Sequence, residues 1–466
     1  MVTYETIFID GEWVHPVGTD SVDVVDPATD EISGHVPSCN EQDVDAAVAA
    51  AKKAFPAWSR TPVSDRVEFL RRLADLVRKD ADELARLVSV EMGAPLDFAL
   101  SEHVGTPIAM IESFADALAS EEDEVRVGNS LIVREPVGVV AAITPWNYPL
   151  YQLVAKAVPA VAAGCTVVVK PSELAPLSTF RFTELVEQAG LPAGVYNLVP
   201  GRGAVVGDAM SRHEDVDMVS FTGSTRAGQS VAAAASHTIK RVALELGGKS
   251  ASVVLDGADL GQAVPYSVEY CMANAGQSCS AWTRLIVPRT ALAEVEALAV
   301  TAAAAVEGTL GPAVSRSQYE QVQEYIRVGL AEGARLIAGG PGNPGGGDEG
   351  NFNRVTVFTD VTPDMRIAQE EIFGPVLVIQ AYDDVDEAAD IANGTPYGLH
   401  GGVWAGTDAE ALAFARRLRT GQVDVNGGAF NVRAPFGGYK QSGIGRELGG
   451  FGLEEFYETK SIQLPE

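Results

Sequence analysis

From residue 137 onward the chain alternates short apolar runs with longer amphipathic ones: 137–143 then 153–163, 166–170 then 180–189, 196–199 then 204–211, and finally 218–221. Runs this apolar suit strands buried on both faces, and such strands need helices on either side of their sheet. Parallel strands cannot be joined by a tight turn, so each amphipathic stretch becomes a crossover helix. The expected product is an α/β domain with a parallel sheet, the frame on which dinucleotides bind. A second alternating region runs from 249 to about 426. With 466 residues, more than one ordinary core absorbs, two or three domains are expected.

Flanking this pattern, Phe8 to Trp13 and Val22 to Pro27 read as short strands broken by turn residues. Between 41 and 91, Val67, Leu70, Leu73, Leu76, Val77, Leu84 and Leu87 recur at helical spacing, which predicts helices covering a sheet. Residues 126–136 alternate and interrupt the first domain, and the tail 454–464 reads as extended near its end. Residues 341–347, rich in Gly and Pro, form a surface loop without chemistry.

A formal charge of −29 would repel nucleic acid and anionic lipid, so neither is an expected partner. The most apolar stretch, 156–170, is too short to span a bilayer and contains Pro159, Gly164 and Thr166. Met1 to Glu5 carries no basic segment leading into an apolar run, and the reading is a soluble cytoplasmic protein. Cys39, Cys165, Cys271 and Cys279 show no paired spacing, which argues against disulfides and structural zinc. Cys165 and Cys271 read as core, with regulatory oxidation as the alternative for Cys271. His35, His103 and His213 do not cluster at ligand spacing, so no metal is expected.

Two short motifs carry chemistry: Glu245-Leu246-Gly247-Gly248-Lys249 and Gly276-Gln277-Ser278-Cys279. A carboxylate and a thiol are the groups needed to form a thioester and hydrolyse it. A third motif is Thr144-Pro145-Trp146-Asn147-Tyr148-Pro149-Leu150. With Lys170-Pro171-Ser172-Glu173, Phe221-Thr222-Gly223-Ser224-Thr225, Glu370 to Pro375 and Pro435 to Gly443, the chain resembles the NAD(P)-dependent aldehyde dehydrogenase superfamily, in its hydrolytic, non-acylating branch. The resemblance runs from about Ile7 to the C-terminal strand. It implies an α/β fold with two Rossmann-like parallel-sheet domains and a small antiparallel oligomerisation extension. It places the NAD-binding domain at 1–117 and 137–246, the catalytic domain at 247–447 and the extension at 118–136 and 448–466. A homodimer or homotetramer is expected from that extension.

In this light Cys279 is the expected nucleophile, and its attack on an aldehyde needs a thiolate. Asn147, with the backbone N–H of Cys279, resembles the oxyanion hole. Glu245 resembles the general base that activates water once hydride has left, and its presence favours hydrolysis over transfer of the acyl group to coenzyme A. Lys156 and Glu447 match positions linked in the family to a proton relay, with plain ion pairing as the alternative. A coenzyme A-acylating semialdehyde dehydrogenase and a non-catalytic NAD-binding homologue are the competing functions.

The stretch from Gly201 to Gly207 does not fit GxGxxG, because Val206 stands where the last glycine belongs. The resemblance instead puts the pyrophosphate at Gly223 and Ser224, where a strand meets a helix N-terminus. It puts the adenosine ribose at Lys170 and Glu173, the adenine beside Gly203, the nicotinamide ribose at Glu371, and Trp146, Leu246 and Phe373 around the cofactor. Glu173 would repel a 2′-phosphate, so NAD is expected, with NADP as the alternative. Tyr148, Gln152, Ala155, Ser278, Ser280 and Phe430 fall where the family lines its substrate tunnel, with Arg284 or Arg433 as basic residues able to reach it. A medium-length aliphatic or aromatic aldehyde is the expected substrate.

Overall fold

The computed structural model describes residues 1–120, 124–347 and 349–465. Five parallel strands form the heart of the first sheet, side by side in the order Tyr196–Leu198, Thr166–Lys170, Val139–Ile143, Met218–Thr222 and Arg241–Glu245. The first four are buried throughout, as their apolar sequences demand. Helix Pro149–Ala163 begins earlier than its apolar spacing suggested, because a proline in the first turn gives up an N–H that has no partner there. The expected helix at 204–211 is split into a π-helical turn Gly203–Gly207 and a short helix Asp208–Arg212.

Antiparallel strands close both edges of this sheet. On one side stands the hairpin Ile7–Ile9 and Glu12–Val14. On the other, Gly443–Ile444 pairs with Arg241–Glu245, setting Gly443 opposite Glu245. Gly443 has a φ of 144°, and a Cβ there would fall 2.0 Å from the Leu244 carbonyl oxygen, so only glycine permits the pairing.

Helix Glu41–Trp58 lies on the sheet, but Val63–Lys79 and Ala81–Met92 depart from expectation and pack mainly on other helices. Their apolar stripes meet Thr106–Ala119 and Leu177–Gln188 respectively, which periodicity alone cannot distinguish from a sheet face. Residues Val2–Thr3, Ile32–Ser38 and Asp20–Val25 make a separate three-stranded sheet.

The second large sheet has the order Arg335–Ala338, Thr356–Thr359, Val376–Tyr382, Arg284–Pro288, Ala251–Val254, Gly401–Trp404 and Asp424–Val425. It is parallel except at its Arg335–Ala338 edge. Glu124–Val127, Ser130–Pro136 and Tyr457–Gln463 form a third, antiparallel sheet, in register from Tyr457 opposite Pro136 to Gln463 opposite Ser130. Of the expected extension, 121–123 and 466 lie outside the described residues. Among the described residues no helix is long and apolar enough to cross a membrane.

Candidate active site

Strands Val139–Ile143, Met218–Thr222 and Arg241–Glu245 end at one level, where ligands gather in sheets of this kind. The segments that follow them supply Trp146, Asn147, Gly223, Ser224, Leu246 and Gly247 to one cleft, which Cys279, Glu371 and Phe373 complete.

Cys279 stands after a strained turn. Helix Leu260–Met272 runs into Asn274, Ala275 and Gly276, all left-handed, at φ 54°, 56° and 72°. Such a conformation costs about 1 kcal/mol or more at each non-glycine residue, so the surroundings must enforce it. Asn274 Nδ2 donates to the carbonyls of Asn147 (2.8 Å) and Gln277 (3.3 Å). Gln277 Nε2 donates to the Asn274 and Pro312 carbonyls, each at 3.1 Å, and its Oε1 accepts from the Val314 N–H at 2.9 Å. At Gly276 a Cβ would lie 2.2 Å from the Gly374 carbonyl. Asn147 Nδ2 donates to the Gln277 carbonyl at 3.1 Å, leaving its second N–H for another acceptor.

Glu245 ends its strand fully buried, and neither carboxylate oxygen has a hydrogen-bond partner among the described residues. Burial raises its pKa well above the usual carboxylate range, and Glu447 pushes the same way while Lys156 and Arg446 oppose. Lys156 Nζ donates to Glu447 Oε1 and Thr222 Oγ1, each at 2.5 Å, and to Gln152 Oε1 at 3.3 Å. Lys156 and Glu447 therefore form a buried ion pair beside Glu245. Burial, then Glu245, Glu371 and Glu447, push the Cys279 thiol upward. In this charge state the sulfur keeps its proton, so attack requires that the proton first pass to another group or to solvent.

The cofactor side is built for close backbone approach. Glu371 accepts from the Gly248 N–H at 2.9 Å, and a Cβ on Gly247 would sit 2.2 Å from Glu371 Oε2. Burial lifts the Glu371 carboxyl to about 7 against the pull of that N–H and of Lys249. Trp146 and Phe373 meet edge to face at 5.4 Å. Ser224 caps helix Thr225–Ala235, its Oγ accepting from Ala227 N–H at 3.2 Å, which leaves the hydroxyl proton free to donate. Gly203 borders an adjoining cleft with Phe221 and Arg226, and a Cβ there would meet no protein atom within 4 Å. Lys170, buried, donates to the Pro171 carbonyl at 2.7 Å and lies 3.5 Å from Glu173, beside Gly207 of that cleft.

A second cavity, of about 280 Å³, opens on the far side of Cys279. Tyr148, Gln152, Ser278, Ser280 and Phe430 line it as expected of a tunnel, but Ala155 does not: it is buried in the helix-packed core. Arg284 is likewise elsewhere, donating to the carbonyls of Lys249, Ile391 and Ala392, and Arg433 faces Asp116. Sequence reasoning missed Phe98, Glu102, Tyr151 and Tyr270 on this wall. His103, which burial keeps neutral by pushing it down to about 3, stacks on Tyr148 at 4.6 Å and braces the wall. Cys279 alone, among the described residues, borders both the cofactor-side cleft and this cavity.

Residues 13–462 match the sequence model of the Aldehyde dehydrogenase family. A 3-succinoylsemialdehyde-pyridine dehydrogenase from a Pseudomonas species is 47% identical, the match covering 99% of each chain. The crystal structure of a mutant of aldehyde dehydrogenase C from Pseudomonas syringae, in complex with NAD+ and octanal, superposes with a TM-score of 0.97 at 49% identity, covering 98% of this chain and 96% of that one. A Mycobacterium tuberculosis aldehyde dehydrogenase complexed with NAD+ gives 0.97 at 40% identity, covering 100% and 99%.

Proposed function

Because the chain belongs to the aldehyde dehydrogenase family and is an NAD(P)-dependent oxidoreductase acting on aldehydes, we propose that it releases a free carboxylate by hydrolysing a thioester on Cys279, with Glu245 as base. One observation carries this reading: Cys279 is the residue shared by the two cavities, and the buried Glu245 is close enough for its charge to act on that thiol.

Cys279 loses its thiol proton to water in the cavity, and the sulfur attacks the aldehyde carbon from that side. The free N–H of Asn147 and the backbone N–H of Cys279 receive the oxygen as it becomes anionic. NAD, when bound in the Trp146–Phe373 cleft, supplies the hydride acceptor. Glu245 then takes a proton from the water that attacks the thioester, and burial, seconded by Glu447 and opposed by Lys156, sets how tightly that proton is held. Asn147→Ala is expected to lower kcat roughly 100- to 1000-fold, as loss of one oxyanion donor does elsewhere. Steady-state NADH formation checks it, and a loss under threefold would remove Asn147 from this role.

The residues present fit NAD. Gly247 leaves room for the Glu371 carboxylate, which accepts from ribose hydroxyls, and Ser224 offers its hydroxyl and helix N-terminus to the pyrophosphate. Glu173 accepts from the adenosine ribose and repels a 2′-phosphate. Glu173→Gln is therefore expected to raise the ratio of kcat/KM for NADP over NAD about tenfold, the effect of removing one like-charge contact. An unmoved ratio would place the cofactor preference elsewhere.

An uncharged aliphatic or aromatic aldehyde of medium length suits the cavity, which has aromatic walls and no lysine or arginine lining among the described residues. The related enzymes named for a pyridine semialdehyde and holding octanal support the same class. Exposed edges of the antiparallel extension support a homodimer or homotetramer, and four free cysteines support a cytoplasmic setting. Sheet membership supports the division into 1–117 with 137–246, 247–447, and 118–136 with 448–466, the return of Gly443–Ile444 to the first sheet excepted. Aldehyde oxidation that turns over with NAD alone and yields the free acid is the expected result. A requirement for coenzyme A would overturn the hydrolytic assignment.

A further inference from the structure

Behind the wall of the second cavity lies a buried group that the chemistry above does not use. Trp282 Nε1 donates to His400 Nδ1 at 3.0 Å, both residues being buried. An indole nitrogen only donates, so Nδ1 must be the accepting nitrogen and the ring proton belongs on Nε2. Nε2 lies 3.2 Å from Asp424 Oδ2, in ion-pair range though off the line of the N–H bond. Asp424 is itself held through Oδ1, which accepts from Gln422 Nε2 at 3.0 Å. Trp282 cannot easily shift: it stacks on Tyr270 at 4.2 Å, and a Cβ on Gly402 would already fall 2.6 Å from its ring.

Nδ1 has one lone pair, and Trp282 has taken it. Two groups of the cavity wall also come close, the Tyr270 hydroxyl and the Ser280 carbonyl, each at 3.3 Å. The carbonyl cannot bond an accepting nitrogen, and the hydroxyl finds the lone pair occupied.

Tyr270 shares the cavity with the hydroxyls of Tyr148, Ser278 and Ser280, and the two serines flank Cys279 in the chain. Ser278 Oγ and Ser280 Oγ are 3.1 Å apart and bond each other. With Nδ1 taken by Trp282, the Tyr270 O–H is left for an acceptor in the cavity.

We infer that Trp282, His400 and Asp424 are a positioning clamp that denies the Tyr270 O–H its nearest buried acceptor, so that Tyr270 presents it to the substrate. This rests on the reading of the cavity as the aldehyde site. The site then selects aldehydes whose tail carries a neutral hydrogen-bond acceptor, a ketone oxygen or a ring nitrogen. A carboxylate tail is disfavoured, because no cation lines the cavity among the described residues and Glu102 does.

The probes are 4-oxo-4-phenylbutanal and 4-phenylbutanal, which differ by the ketone oxygen. Trp282→Phe frees Nδ1 to accept from the Tyr270 O–H. It should lower the ratio of kcat/KM, keto over plain, roughly fivefold, the worth of one hydrogen bond, and the change should appear in KM for the keto aldehyde. Tyr270→Phe, which deletes the hydroxyl without opening the core, should lower the same ratio. In that background Trp282→Phe should move it no further. An unchanged ratio in Tyr270→Phe, an equal loss for both aldehydes in Trp282→Phe, or additive effects in the double variant would overturn the clamp. Wild-type enzyme that oxidised neither probe, while still oxidising other aldehydes, would overturn the uncharged-aldehyde reading and the clamp with it.

Discussion

Cys279→Ala should abolish NADH formation with every aldehyde, lowering kcat by roughly ten-thousand-fold or more, because no other group near the cofactor cleft can form the covalent adduct. Cys39, Cys165 and Cys271 are buried away from either cavity and offer no substitute. NAD binding should persist, since the cofactor-side contacts come from Trp146, Ser224, Glu371 and their neighbours. Fluorescence titration with NAD beside an NADH assay separates the two properties. Residual activity above about one per cent of wild type would point to another nucleophile.

Glu245→Gln should behave differently. Attack and hydride loss do not need the base, so NADH should appear in one burst equal to the enzyme present and then nearly stop. Steady-state turnover should fall roughly 100- to 10,000-fold, the usual contribution of a general base. Intact-protein mass spectrometry after the burst should show the acyl group on the chain. The pH dependence follows from the same residue. Burial, seconded by Glu447, raises the pKa of Glu245, so the wild-type deacylation rate falls as pH drops through that raised value and the base becomes protonated. The glutamine variant should lack this acid limb. Linear turnover at the wild-type rate would mean that some other group activates water.

The parallel sheet and the motif-bearing loops were legible because each rests on local pattern. Asn147 and Glu245 fall at or just beyond the carboxyl ends of strands whose apolar runs stand out in the sequence. The cavity wall was less legible. Tyr270 sits on helix Leu260–Met272 next to the fully buried Cys271 and Met272, where an aromatic residue reads as core. Phe98 precedes and Glu102 lies within the π-helical stretch Ala99–Gly105, which breaks the 3.6-residue phase from which a facing side chain would be inferred. Arg284 reads as a cation able to reach the substrate, yet each of its three guanidinium nitrogens donates to a backbone carbonyl of a distant chain segment. Tertiary partners of this kind leave no periodic trace.

The return of Gly443–Ile444 to the first sheet also sets the order in which the molecule becomes competent during synthesis. Gly437 packs on the Glu245 carboxylate, Gly443 pairs opposite it, and Glu447 adds its charge to the burial that raises its pKa. A ribosome that has just added Phe430 has made both Cys279 and Glu245 but none of these three. Domains tend to fold in the order they emerge, so the nucleophile is in place before its hydrolytic partner is tuned. The base therefore acquires its full setting only when residues 437–447 join it, after both reactive groups have been made.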